Sequence, residues 1–160
     1  MSLLPYGQIS DEDTQAIIAY LRSLPPAATQ VTTGRKLNYF GMVLFGSGMF
    51  PISEAPADTV TAPMQGVSAE YGKYVALLGD CSGCHGPDLT GVEASQMGPA
   101  IPNPRPIVAT WTQAEFIQTM RTGVRPNGVP FPETMPWQNA SNMTDDDLAA
   151  LYMYLTSPVR

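Results

Sequence analysis

Every cysteine and histidine of this 160-residue chain lies within five consecutive positions. Cys81, Cys84 and His85 form a Cys-x-x-Cys-His motif inside the stretch GDCSGCHGPDLTG. Thiolates and imidazole are the side chains that bind iron and zinc, and thiols are also the groups that exchange disulfides. The motif therefore limits the fold to one that can present these three side chains to a shared group.

Three main chemistries use a motif of this kind. In covalent haem attachment the two thiols add to the haem vinyl groups and the histidine binds the iron, and Cys-x-x-Cys-His is the signature of that linkage. A tetrahedral zinc site would need a carboxylate as its fourth ligand, since no further cysteine or histidine exists. A redox dithiol needs a strand before the motif, and no β-rich segment precedes Cys81. The motif favours haem, with zinc, a redox dithiol and a structural disulfide as alternatives.

The composition indicates a folded, loop-rich chain with an acidic surface. The sequence is 44% hydrophobic, which suffices for one or two small domains with a core. It contains 16 prolines and 14 glycines, so much of the backbone is expected in loops and turns. The net charge is −6 and basic residues are not clustered, which argues against nucleic acid as a partner.

The longest apolar run covers residues 37–52, LNYFGMVLFGSGMFPI. It is shorter than the 18 or more residues of a membrane span, and three glycines and Pro51 interrupt it. We expect a packed helix or strap here. The first residues lack the basic and apolar regions of a secretory signal peptide, so we expect any export signal or anchor to lie outside this sequence.

Apolar periodicity and capping signals predict four helices, at residues 10–24, 68–78, 112–123 and 144–156. The first starts with an N-cap serine and acidic residues and stops at two prolines, and the third starts with a capping box and stops at a glycine. The expected inward faces are Ile17, Tyr20, Leu21 and Leu24; Tyr71, Val75 and Leu78; Phe116, Ile117 and Met120; and Leu148, Leu151, Tyr152 and Leu155.

The first and last helices are similar in sequence. Positions 10–23 align to positions 144–157 without a gap, and six of the fourteen positions are identical. Shared helix caps explain part of this match, but the Tyr-Leu-x-Ser ending is not required by helix formation. The pattern indicates an internal repeat.

The helix before Cys81, the Gly98-Pro99 pair, the third helix, the Met135-Pro136-Trp137 loop and the last helix follow the order of a class I cytochrome c domain. Residues 66–160 resemble such a monohaem domain. The resemblance implies an all-α fold packed around one covalently bound haem c, with an extra N-terminal helix and linker. Residues 1–26 resemble the C-terminal end of a preceding cytochrome domain, and residues 27–65 resemble an interdomain linker. This implies an upstream second haem domain in the native chain.

The second iron ligand has to be sought among the nine methionines, because no second histidine exists. Met97 follows His85 too closely, and Met120 and Met153 lie in predicted helices, where a core role is expected. Met135, in a loop restricted by three prolines, and Met143 remain as candidates. The resemblance places the axial ligand at Met135.

The resemblance also implies the surroundings of the haem. A backbone carbonyl at or near Pro99 would accept a hydrogen bond from Nδ1 of His85. Trp137, Arg105 and Arg125 are candidates to bind the haem propionates. A glycine and an aromatic residue of the helix before the motif would pack against the last helix, and the matching residues are Gly72, Tyr71 or Tyr74, and Tyr152.

An iron with protein ligands on both sides has no free position for a substrate, so we expect an electron carrier and not an enzyme. Its partners would be redox proteins. The alternative is a haem-bearing subunit or domain of a larger dehydrogenase or dihaem enzyme, in a complex that could be membrane-associated. Because haem attachment takes place outside the cytoplasm, the expected location is the periplasm or the outer face of the cytoplasmic membrane.

Overall fold

The structure is a computed structural model that describes residues 6–26, 38–47, 59–95 and 98–159. The chain divides into two compact units, residues 5–61 and a larger unit that contains residues 62–160. Across the described ranges the regular elements are helices, joined by three isolated antiparallel β-bridges at Val92–Ile101, Ser95–Gly98 and Val124–Pro130. The expected all-α class is confirmed.

The smaller unit contains a 3₁₀ turn at Tyr6–Gln8 and two helices, α1 (Asp11–Ser23) and α2 (Tyr39–Gly46). Helix α1 begins where the Ser10 hydroxyl accepts a hydrogen bond from the Asp13 amide, and it ends before the two prolines. Helix α2 occupies part of the apolar segment 37–52, and the remainder of that segment lies mostly outside the described residues.

The apolar face of α1 is exposed, although we expected it to pack. Ile17 is 48% exposed, Tyr20 64% and Leu21 59%, and no residue of this helix is buried. The prediction of a helix at residues 10–24 is confirmed. The prediction that its apolar face packs on residues 66–160 or on a neighbouring chain stays a prediction. An amphipathic pattern specifies a face, but burial also needs an element that covers it.

The larger unit contains six helices in its described residues: α3 (Ala69–Leu78), α4 (Cys81–His85), α5 (Arg105–Val108), α6 (Gln113–Thr122), α7 (Trp137–Ala140) and α8 (Asp145–Thr156). The three long ones agree with the predicted helices to within one residue at each end. Their N-cap side chains, Ser68, Thr112 and Thr144, each accept a hydrogen bond from an amide of the first turn. Capping chemistry therefore explains why their boundaries could be predicted.

The crossing of α3 and α8 forms the centre of the core. The α-carbon of Gly72 lies so close to α8 that an added Cβ would overlap the Ala150 carbonyl oxygen and lie 2.9 Å from Cβ of Tyr154. The Tyr71 hydroxyl donates to Asp147 at 3.1 Å across the same contact. Only glycine allows this approach of the two backbones.

Contrary to our expectation, Tyr152 does not pack at this crossing. Tyr154 occupies that position instead. The Tyr152 ring lies 5.8 Å from the Phe116 ring, and its hydroxyl donates to the Trp111 carbonyl at 2.8 Å. It therefore connects α8 to α6 and to the residue before the α6 cap.

Most of the remaining inward residues of the larger unit are buried as predicted, including Val75, Phe116, Met120, Leu148, Leu151 and Leu155. Leu78 is 43% exposed, so the prediction that it faces inward is wrong. Because α3 turns its Gly72 face toward α8, a residue six positions later points about 120° away from that face.

Candidate haem-binding site

The Cys-x-x-Cys-His motif forms the short helix α4. Asp80, with a left-handed φ of 55°, separates α4 from the end of α3, and Cys81 and Cys84 are one helical turn apart. Both cysteines are free thiols, Cys81 half-buried and Cys84 exposed. The two thiols thus stand beside each other, as attachment to two positions of one group requires.

Burial raises the pKa of the Cys81 thiol to about 11, and the Asp80 carboxylate adds to this rise. Cys81 is therefore a neutral thiol at pH 7. Redox dithiols depend instead on a cysteine whose pKa is lowered, since the thiolate is the attacking species. The environment of Cys81 does not suit the redox-dithiol alternative.

His85 is oriented by a backbone carbonyl. Its Nδ1 lies 2.9 Å from the carbonyl oxygen of Pro102. An imidazole that donates from Nδ1 to a carbonyl keeps the Nε2 lone pair for a metal, and this is the usual arrangement of a metal-binding histidine. The ring is thus fixed in the tautomer that an iron ligand needs.

The acceptor is the carbonyl of Pro102, three residues after Pro99, near which we had expected it. The chain reverses after the motif through Gly91, which has a φ of +90°, and the Val92–Ile101 bridge then sets the register of the returning segment. This register brings Pro102 to the imidazole, whereas Pro99 is an exposed residue next to the Ser95–Gly98 bridge. Four prolines lie within residues 99–106, and nothing in their spacing singles out one.

Arg105 is held by backbone carbonyls in this structure, and its role toward the haem propionates stays a prediction. The side chain is 7% exposed, and its guanidinium donates to backbone carbonyls: Nε to Asp88 at 2.8 Å, and Nη1 to Tyr154 and Ser157 at 2.9 Å each. It also lies 4.6 Å from the centroid of the Tyr154 ring. Arg105 therefore fastens the end of α8 to the loop that follows the motif.

Trp137 and Arg125 occupy separate positions near the loop that carries Met135. The half-buried Trp137 covers Gly123, where an added Cβ would be 2.6 Å from the indole nitrogen. The Arg125 guanidinium lies 5.5 Å from the centroid of the Phe131 ring. Their roles toward the haem propionates stay predictions.

The two methionines that remained as candidates both pack beside the core. Met135 is half-buried in a turn, in which its amide donates to the Pro132 carbonyl at 2.9 Å. Met143 is also half-buried, and its methyl group would be 2.7 Å from a Cβ added at Gly79. Met143 thus already fills space between the loop before α8 and the end of α3.

The other methionines gave mixed outcomes. Met120 is buried in α6, which confirms its predicted core role. Met153 is 41% exposed, so the same prediction is wrong for it. Met97 lies outside the described residues.

The residues present fit a covalently bound haem. The structure offers two adjacent thiols and an oriented imidazole, and it also offers partly buried apolar side chains against which a porphyrin could pack. The apolar side chains at the edge of the core are Tyr71, Cys81, Trp111, Ile117, Phe131, Met135, Met143 and Tyr152. Within the described ranges, no three or more His, Cys, Asp or Glu side chains are grouped as a metal-ion site.

A helical fold closed by α3 and α8, with this motif at the end of α3, defines a c-type cytochrome domain. The sequence profile of the family Cytochrome c matches residues 69–158, more than half of the chain, so the chain belongs to this family. A cytochrome c domain carries electrons by means of covalently attached haem c and is not itself catalytic. The resemblance inferred from the motif order is confirmed.

Several curated proteins are similar to this chain. A nicotinate dehydrogenase subunit of Pseudomonas putida is 31% identical over 84% of the chain, and the alcohol dehydrogenase (quinone) cytochrome c subunit of Gluconacetobacter polyoxogenes is 30% identical over 74%. The fructose dehydrogenase cytochrome subunit of Gluconobacter japonicus is 27% identical over 85%. The matches span only 13%, 28% and 28% of these relatives. No solved structure gives a significant match.

In the part of the chain that the structure describes, no helix is both long enough and apolar enough to cross a bilayer.

Proposed function

We propose that residues 66–160 form a single-haem electron-transfer domain, with haem c attached at Cys81 and Cys84 and its iron bound by His85 and Met135. When bound, the haem supplies a one-electron ferric/ferrous couple. The observation that carries the proposal is the 2.9 Å contact between His85 Nδ1 and the Pro102 carbonyl, because it prepares Nε2 of this one histidine for iron.

The assignment of Met135 rests on its setting in the chain. It lies in a turn between Pro132 and Pro136, and this restriction lowers the entropy lost when the sulfur is presented to a ligand. Met143, by contrast, has its methyl group packed against Gly79. A thioether ligand preferentially stabilises ferrous iron and raises the reduction potential.

Spectroscopy of matched variants tests the ligand assignment. Met135→Ala should abolish the ferric charge-transfer band of sulfur-ligated haem, lower the reduction potential and allow the reduced protein to bind carbon monoxide. Met143→Ala is the control and should retain the band. If Met143→Ala loses the band and Met135→Ala keeps it, the assignment is reversed. Carbon monoxide binding by the unmodified reduced protein would show an open iron site and favour an enzymatic role.

The covalent attachment and haem number have a direct test. The denatured protein should keep its colour and exceed its sequence mass by one haem. A colourless chain, or a mass that corresponds to more than one haem, would refute the single-haem proposal.

The physiological setting that we propose is a dehydrogenase complex, in which this domain passes electrons from a catalytic partner to a redox acceptor. Three similar proteins are named as dehydrogenase subunits, two of them as cytochrome subunits, and this supports the proposal. Because haem attachment takes place outside the cytoplasm, we propose the periplasm or the outer face of the cytoplasmic membrane as the location. Copurification from native membranes, followed by haem reduction on addition of candidate dehydrogenase substrates, tests both points. Recovery in the cytoplasm, or no reduction by any copurified partner, would contradict the proposal.

We further propose that residues 1–26 end a preceding cytochrome domain and that residues 27–65 link it to residues 66–160. The haem domain makes up less than two thirds of the chain, so an alignment that covers 84% of the chain must include part of the sequence upstream of residue 66. The similarity to a dehydrogenase subunit therefore extends into the linker. The exposed apolar face of α1 is what such a helix would leave when separated from its own domain.

The haem content of the native protein tests this second proposal. We expect the purified native polypeptide to be longer than this chain and to carry at least two haems per polypeptide. A native polypeptide with one haem would refute it and leave the first proposal intact.

A further inference from the structure

The segment that carries the Pro102 carbonyl is fixed by the loop that follows His85. Val92 and Ile101 exchange two backbone hydrogen bonds of 2.9 and 2.8 Å. At Gly91, an added Cβ would be 3.1 Å from the Pro102 carbonyl carbon and 2.8 Å from the Asn103 nitrogen. The position of the Pro102 carbonyl therefore depends on the position of the loop at residues 86–91.

That loop contains an unfavourable backbone conformation. Leu89 has a left-handed φ of 53°, which costs a non-glycine residue about 1–2 kcal/mol. The side chain of Leu89 is buried in the core, and this burial offsets part of the cost. A contact that holds the adjacent peptide of Asp88 would secure the turn further.

Arg105 supplies this contact. Its Nε donates to the Asp88 carbonyl at 2.8 Å, and Nη1 donates to Tyr154 and Ser157 at the end of α8. The salt bridge between Lys73 and Asp88 spans 3.9 Å between exposed side chains and contributes little. The nearly buried guanidinium, which connects this loop to the end of α8, is thus a stronger anchor than the salt bridge from Lys73 in α3.

Arg105 also fixes its own end of the returning segment. Its backbone amide donates to the Asn103 side chain at 2.9 Å, directly after Pro102. The residue therefore acts on both sides of the Pro102 carbonyl: on one side through Asp88 and the loop that supports Gly91, and on the other through Asn103.

We propose that Arg105 is the positioning residue for the hydrogen bond between His85 Nδ1 and the Pro102 carbonyl, and that it thereby lowers the reduction potential of the haem iron. This rests on the proposed function, in which His85 is the axial ligand. A well-aligned acceptor at Nδ1 makes the imidazole a stronger electron donor, and a stronger donor favours ferric iron. Loosening this acceptor should raise the potential.

Arg121 provides a matched control. It is also an arginine that joins distant segments: its Nη1 donates to the Ser141 carbonyl, and its Nη2 contacts Asp145 at 2.7 Å. These contacts connect α6 to the end of α7 and to the start of α8, and they do not involve the segment of Pro102. Replacement of Arg121 should reduce stability without changing the acceptor of His85.

The experiment compares Arg105→Gln and Arg105→Lys with Arg121→Gln in the haem-loaded protein. All three should lower the midpoint of thermal unfolding. Only the Arg105 variants should raise the reduction potential and speed the exchange of the His85 ring proton, by about tenfold if opening becomes easier by 1.4 kcal/mol. Asn103→Ala, at an exposed position, should shift both quantities in the same direction by less, and it serves if the Arg105 variants do not fold.

Unchanged potential and exchange in the folded Arg105 variants would overturn the inference, as would an equal shift in Arg121→Gln. If no Arg105 variant folds, an unchanged potential in Asn103→Ala overturns it. Failure of the proposed function would look different, because the unmodified protein would then lack the spectrum of a histidine-ligated haem.

Discussion

Helices α1 and α8 are two versions of one sequence pattern with opposite surroundings. Both begin at a hydroxyl N-cap followed by an acidic first turn, Ser10 in α1 and Thr144 in α8. In the gap-free alignment of the two helices, Ile17 corresponds to Leu151, and Leu21 corresponds to Leu155. Leu151 and Leu155 are 2% and 5% exposed, whereas Ile17 and Leu21 are 48% and 59% exposed.

The difference shows what a helical pattern specifies and what it leaves open. Caps and apolar spacing determine where a helix begins and which face is apolar, and both helices follow these rules. Burial of the face depends on a second element. For α8 that element is α3, which offers Gly72 at the point of closest approach.

The largest loss of stability is expected from adding a side chain at the point where α3 and α8 cross. Gly72→Val should cost at least the upper end of the range of about 1–3 kcal/mol that overpacking causes, because the first added carbon already overlaps Ala150. Urea unfolding monitored by haem absorbance measures this loss. Gly46→Ala in α2 is the control, since no atom lies within 4 Å of its added Cβ, and it should leave the larger unit unchanged. Equal unfolding midpoints for both variants would contradict the close approach of α3 and α8 at Gly72.

The next largest effect on stability is expected from truncating an apolar side chain of α8, compared with the equivalent side chain of α1. Leu151→Ala should destabilise the domain by about 2–5 kcal/mol through lost burial and the cavity left behind, whereas exposed Ile17→Ala should change stability by about 0.5 kcal/mol or less. The free energy of unfolding in urea decides between them. A loss at Ile17 as large as that at Leu151 would mean that α1 is covered in solution.

Removal of the N-caps should have a smaller effect on stability, and the effect should differ between the two units. Thr144→Ala removes the cap that accepts from Asp147 and should cost about 0.5–2 kcal/mol in global unfolding of the haem domain. Ser10→Ala removes the equivalent cap of α1 and should speed amide exchange in α1 alone. Slower global refolding or lower stability of the haem domain in Ser10→Ala would contradict this separation.

The smallest effect concerns pH and the capping box of α6, which resembles that of α8 but has Glu115 in place of Asp147. Hydrogen bonds from the Thr112 amide and hydroxyl hold the pKa of Glu115 below its usual value. Its contribution to stability is therefore full above the unfolded pKa, about 4.3, and is lost as the pH falls through the lower folded value.

Glu115→Gln should accordingly be less stable than the unmodified protein at pH 7, and the difference should shrink below about pH 4. Urea unfolding at a series of pH values measures this. A difference that stays constant down to pH 2 would show that Glu115 does not act through its charge.

Much of the fold could be predicted from sequence because its long helices carry their own signals. Ser68, Thr112 and Thr144 set the helix starts, and the apolar spacing in α6 and α8 identified the core residues. Helices α4, α5 and α7 have four or five residues each, too few to show a helical period. Only their place between longer elements reveals them.

The site could be predicted in part. The motif made Cys81, Cys84 and His85 the candidates without any structure, and the structure places all three in α4. Pro102 could not be chosen over Pro99, because the choice depends on the register of the Val92–Ile101 bridge, a contact between residues nine positions apart. Arg105 resembled a surface arginine in sequence, and its burial depends on carbonyls that lie about fifty residues away in α8.

The crossing of α3 and α8 also has a consequence for folding kinetics. Tyr71 and Asp147, which meet there, are 76 residues apart, so this contact closes nearly the whole domain into one loop. Closing so long a loop is entropically costly and slow compared with forming local helices. Because α8 is synthesised after the other helices of this unit, we expect the thiols of Cys81 and Cys84 to stay accessible until α8 has been made.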